Sequence, residues 1–248
     1  MRSSHAVLVA LVALGTGCQA AVADDRDPVR EPPRRPTPEA ITRIHMRGRL
    51  GELRTAEHAL VRGQLLEGKV AARAIATVSD EIELADWKRK LGQVRQLANE
   101  VAEAHSVEVA LQRLPAVAAA CAECHVATGG WPELAAAPRL PPDGDAAVPR
   151  MARHQWAVDR MWDGMIGGAE DSWRAGLEVL AATPPPYPVV RGDEVALGRE
   201  LQRAATTALQ HRYIDSLDDR ARQYGELLVT CAACHDTHQR TQPQPSRN

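Results

Sequence analysis

Apolar side chains along this chain recur at steps of three and four, the spacing that gathers them on one face of a helix. Met46, Leu50, Leu53, Ala56 and Leu60 make one such stripe; Val148, Met151, Val158, Trp162 and Ile166 make another. Sustained alternation with a period of two, the mark of a half-buried strand, does not occur. The pattern predicts an all-α protein. Helices are expected over 39–62, 64–78, 84–104 and 107–126, and again over 147–166, 169–182, 193–210 and 213–237. Each set opens with a long striped helix that has a glycine near its end (Gly63, Gly164). A second short helix, a loop and two further helices follow. Pro184-Pro185-Pro186-Tyr187-Pro188 marks the loop of the second set.

The stretch between the sets is rich in chain breakers: Gly129-Gly130, Pro132, Pro138, Pro141-Pro142 and Asp143-Gly144. The repeat divides the chain into a leader (1–18), a proline-rich tether (19–38), a first module (39–127), a linker (128–146), a second module (147–238) and a tail (239–248). Four helices joined by short loops favour an up-down-up-down bundle. The expected architecture is therefore two tandem four-helix bundles. The tether combines Pro28, Pro32, Pro33, Pro36 and Pro38 with mixed charge and almost no apolar side chains, so it cannot bury a core.

Chemistry enters with two pentapeptides at the ends of the two fourth helices. They are Cys121-Ala-Glu-Cys124-His125 and Cys231-Ala-Ala-Cys234-His235. C-x-x-C-H is the attachment signature of c-type haem: two thiols form thioethers to one porphyrin, and the adjacent histidine is the proximal iron ligand. Residues three apart lie on one side of a helical turn, so both sulfurs reach the same macrocycle. Other uses of paired cysteines fit less well. A four-cysteine zinc site closes a loop of about 15–20 residues, whereas Cys121 and Cys231 stand more than a hundred residues apart. A thioredoxin-like pair needs a βαβ setting. Disulfides would leave both histidines unexplained. The expected cofactors are two covalently bound haems c, held by Cys121, Cys124, Cys231 and Cys234, with His125 and His235 on the irons.

A four-helix set with a haem motif in its last helix resembles the class II c-type cytochromes, the cytochrome c-prime group and its low-spin, methionine-ligated relatives. The resemblance covers each module and makes the chain look like a tandem of two. In an up-down-up-down bundle the start of the first helix lies beside the end of the fourth. The sixth ligand should then come from His45 or Met46 in the first module and from Met151 or His154 in the second. His58 falls roughly 18 Å further along the axis than Met46. His105, His211, Met161 and Met165 are displaced as well. Met46 lies on its apolar stripe, and His45 is offset from it by about 100°. Met151 is near the centre of its stripe and His154 toward the edge. Met46 and Met151 are the expected sixth ligands, with His45 and His154 as alternatives.

The fifth cysteine, Cys18, follows an apolar run from Ala6 to Leu14 preceded by Arg2. That is a secretory leader, too short to span a bilayer. Leu14-Gly15-Thr16-Gly17-Cys18 resembles a bacterial lipobox, which predicts a lipidated Cys18. An ordinary leader cut near Ala20 is the alternative. Gln19 after the cysteine implies outward sorting, hence a periplasmic protein anchored to the outer membrane. A formal net charge of −2, with lysine only at Lys69, Lys88 and Lys90, argues against nucleic acid as partner. The tryptophans Trp87, Trp156, Trp162 and Trp173 are expected in the core or against the haems. Trp131 is expected to seal the linker, and Tyr224 to face either a haem pocket or plain core. His238 is expected in solvent.

These features point to single-electron transfer with unidentified redox proteins, and to no enzymatic activity. Two other readings stay open. One is a five-coordinate haem that binds NO or CO as a sensor. The other is a di-haem peroxidase, although such enzymes have longer chains and another haem-domain fold.

Overall fold

A computed structural model describes residues 37–77, 85–129, 136–144, 146–184, 192–210 and 216–241. The leader, Cys18, the tether up to Pro36, Trp131, His211 and the Pro185–Pro188 run lie outside these residues. The described residues contain eight α-helices and no strand. They are α1 (Pro38–Val61), α2 (Leu65–Thr77), α3 (Ala85–Ala102), α4 (Val107–Thr128), α5 (Ala147–Ile166), α6 (Glu170–Ala182), α7 (Asp193–Gln210) and α8 (Leu217–Thr241). Each falls within a few residues of its expected span. The clearest shift is at α8, which starts at Leu217 and runs to Thr241.

Local chemistry sets several boundaries. The Ser106 hydroxyl accepts a hydrogen bond from the Val109 amide at 3.2 Å and caps α4. Gly129, at φ 65°, closes the other end by donating to the His125 and Val126 carbonyls. At the start of α8 the Ser216 hydroxyl accepts from the Asp219 amide and donates to the Asp219 carboxylate, a reciprocal cap. Gly63, at φ 78°, turns the chain from α1 into α2. The corresponding left-handed glycine after α5 is Gly168, not Gly164. Gly164 lies inside α5, where a Cβ would stand 2.5 Å from the Trp173 backbone nitrogen. Its missing side chain lets α5 and α6 approach closely.

Successive helices pack against one another in both halves, and α1 reaches α4 as α5 reaches α8. The halves are joined by contacts of α4 with α8, α1 with α8 and α4 with α5. From Pro38 onward they form one unit with a shared core. α4 and α8 cross at Gly225, whose Cα faces the backbone of Leu111 and Gln112. Pro115 at this crossing cannot donate to the Leu111 carbonyl. Trp162, Tyr224, Met161, Met165, Leu60 and Leu114 are fully buried at the centre. The described residues of the linker are pinned to α5: Trp156 Nε1 donates to the Pro138 carbonyl, Arg153 to Pro141 and Arg150 to Gly144.

The close α5–α6 approach predicts that Gly176→Ala is destabilising, because a Cβ there would sit 2.5 Å from the Ala157 carbonyl oxygen. The expected loss is about 1–3 kcal/mol, the usual range for overpacking. Gly92→Ala, in open space within α3, should instead gain about 0.5–1 kcal/mol from helix propensity. Denaturant unfolding of both variants measures the contrast.

Candidate cofactor sites

α4 and α8 carry the two motifs at their C-terminal ends. The four thiols are free. Burial pushes Cys121 up to about 12, with the neighbouring Cys124 adding to the shift and Arg49 opposing it. Burial likewise pushes Cys231 up to about 12, reinforced by Cys234 and by Glu57. Cys124 and Cys234 are raised by burial too. Such thiols stay protonated at neutral pH. That chemistry disfavours thiolate ligands and low-pKa redox pairs. Among the described residues no group of three or more His, Cys, Asp or Glu side chains converges to hold a bare metal ion.

The second motif opens onto a cavity of about 210 Å³. Cys231, Cys234 and His235 line it, as do Met151 and His154 from the start of α5. The sequence-derived candidates for one iron thus share one cavity. Their surroundings separate them. The His154 ring is held by the Thr183 carbonyl at 3.3 Å through Nε2, and burial lowers its pKa. Met151 sits in the same turn, which is fixed on both sides: Arg150 donates to the Pro184 carbonyl at 3.0 Å and Arg153 to the Thr183 hydroxyl at 3.3 Å.

Leu197, Gly198 and Leu201 of α7 close one side of the cavity. Another wall comes from the end of α1, in the other half, through Glu57, His58, Val61 and Arg62. His58, placed by its own helix far from the first motif, lies beside the second. Its Nε2 accepts from the Gln155 side-chain amide at 3.0 Å. Glu57 is 1% exposed. Its Oε1 accepts from the Tyr224 hydroxyl at 3.2 Å, while Oε2 has no hydrogen-bond partner among the described residues. Burial, aided by Asp159, pushes its carboxyl up to about 8, against the opposing effects of Tyr224 and Arg54. One signal in the sequence marks it. Glu57 is four residues after Leu53 and three before Leu60, so it is an acid in phase with a core stripe.

The first motif is assembled differently. His125 Nδ1 lies 3.1 Å from the Ile166 carbonyl at the end of α5. Donation to that carbonyl fixes the tautomer and leaves the Nε2 lone pair free, the usual arrangement behind a ligating imidazole. Arg49 of α1 is buried and acts on Cys121. Met46, one turn before Arg49, is partly exposed, as is His45. Lys90 of α3 pairs with Glu123 at 3.4 Å. The motifs lie at opposite ends of α5: Met151 is at the second and Ile166 at the first, about 22 Å apart along the axis. His238, expected in solvent, instead meets the buried carboxylate of Glu194 at 3.1 Å.

No protein-family model matches the chain, and no curated protein or solved structure matches it.

Because Glu57 holds its proton more tightly folded than unfolded, stability should fall as pH rises from about 4.5 to about 8 and level off above. Glu57→Gln keeps the acceptor for Tyr224 and removes the charge, so this part of the decline should vanish. Urea midpoints of both proteins between pH 5 and 9 check it. A second expectation follows from the α1 wall. Residues 136–248 expressed alone should unfold at lower urea than the full chain, and supplying residues 37–129 in trans should restore the lost stability.

Proposed function

We propose that this protein is a di-haem c-type cytochrome that carries single electrons at the cell envelope. The observation that carries the reading is the cavity shared by Cys231, Cys234, His235 and Met151. Cys121 and Cys124 would hold one haem and Cys231 and Cys234 the other, with His125 and His235 as proximal ligands and Met46 and Met151 on the opposite faces. Haem c supplies a reversible one-electron change at iron, tuned by axial ligands and burial. The chain's residues do the rest. The Ile166 carbonyl orients His125, the arginine anchors steady the turn of Met151, and the apolar walls limit water. The helix pairings support two four-helix bundles in tandem, similar to class II c-type cytochromes. No substrate turnover is assigned. Export and lipidation at Cys18 would hold the protein at the outer membrane, facing redox partners in the periplasm.

Mass spectrometry of the full chain, produced with a cytochrome-maturation system, should show two covalent haems, and Cys121→Ala/Cys124→Ala should show one. Zero or one haem in the wild type overturns the reading. Met46→Ala and Met151→Ala should each convert one haem from low to high spin, admit CO and lower its potential, seen in optical spectra. Two haems already high-spin in the wild type would favour the gas-binding sensor. For the anchor, Cys18→Ser should release the protein from the membrane fraction; a mature N-terminus downstream of Cys18 would exclude lipidation.

A further inference from the structure

Adding an electron to a buried site changes its charge by one, and an uncompensated charge in a low-dielectric interior is costly. A proton taken up nearby cancels the change. The groups around the second cavity can be compared for that role. On α8, Cys231 loses its titratable thiol once a thioether forms, and the Tyr224 proton is held tightly, its pKa raised by burial. His235 is the expected iron ligand. On α5, Asp159 is paired with Arg54 at 2.8 Å, and the His154 ring is held by the Thr183 carbonyl. On α1, Arg54 is divided between Asp159 and Asp163, 3.0 Å from the latter. His58 accepts from Gln155. Glu57 remains. It is fully buried, lines the cavity, and keeps one carboxylate oxygen without a partner among the described residues.

We propose that Glu57 is a redox-linked proton site: its carboxylate takes up one proton from solvent when one electron enters the second motif's cavity, and releases it when the electron leaves. The inference rests on the di-haem reading. The electron comes from an external one-electron donor and reduces ferric to ferrous iron; the proton forms the Glu57 carboxyl; the cavity's net charge is unchanged. Tyr224 is a positioning residue here. Its hydroxyl hydrogen-bonds the carboxylate and favours the charged form, so removing it moves proton uptake to higher pH.

The test is a potentiometric titration of the two-haem protein with dithionite and ferricyanide from pH 5 to 9, followed optically. The potential of one haem should fall with pH by up to about 59 mV per unit over part of the range, the value for one proton per electron. Glu57→Gln should flatten that component and leave the other unchanged. Tyr224→Phe should keep the slope and shift it to higher pH. A reduced-minus-oxidised infrared spectrum should gain a protonated-carboxyl band that Glu57→Gln lacks. Equal slopes in wild type and Glu57→Gln, or no slope and no carboxyl band in the wild type, overturn the proposal while two haems by mass leave the di-haem reading standing. A chain without haem overturns both.

Discussion

The Tyr224 hydroxyl is the contact on which the centre of this protein depends. It is completely buried, and a buried hydroxyl must find an acceptor or incur a desolvation cost of about 1–3 kcal/mol. It lies 3.2 Å from Glu57 on α1 and 3.3 Å from the Val158 carbonyl on α5. One side chain of α8 thereby registers three helices from both halves. Its ring meets Trp162 edge-on, with centroids 5.2 Å apart, and Trp173 at 6.2 Å. Two turns further along α8, the same registration sets Cys231 and His235 against the end of α1 and the start of α5.

The halves exchange support. The end of α5 supplies the carbonyl that meets His125, and the end of α1 supplies a wall for the second motif and a carbonyl, that of Arg62, to Gln239. α1 and α5 therefore each serve both motifs, α5 from its two ends and α1 through Arg49 and its C-terminal turn. A site built from both halves depends on both staying packed, so its integrity is tied to the folding of the whole unit. The two motifs are met by opposite ends of α5.

Charge is handled by pairing wherever geometry allows. Arg54 bridges α1 to Asp159 and Asp163 on α5, and Arg160 meets Asp163 at 2.5 Å. Burial raises the Asp163 carboxyl, and the two arginines oppose that rise. Glu57, one turn from Arg54, receives less of that relief and faces Asp159 besides. Its carboxyl is raised further. The contrast between these two buried acids is a contrast in partners.

By itself the sequence determined the helical class, the places of the eight helices and the two C-x-x-C-H pentapeptides. Helical periodicity is written in steps of three and four, and C-x-x-C-H fits within one turn, so both are local. It also singled out Met151, because the end of a helix and the phase of its stripe can be counted. The tertiary structure decided what counting along one helix cannot reach. Distance along α1 separates His58 from the first motif, yet packing between halves brings it to the second. Gly164 reads as a terminus and acts instead as a contact with α6. His238 reads as solvated and meets a buried glutamate on α7. Glu57 acquires its character from Tyr224, Asp159 and a cavity contributed by other helices. Each of these depends on which surfaces meet across long sequence separations, and no single helix carries that information.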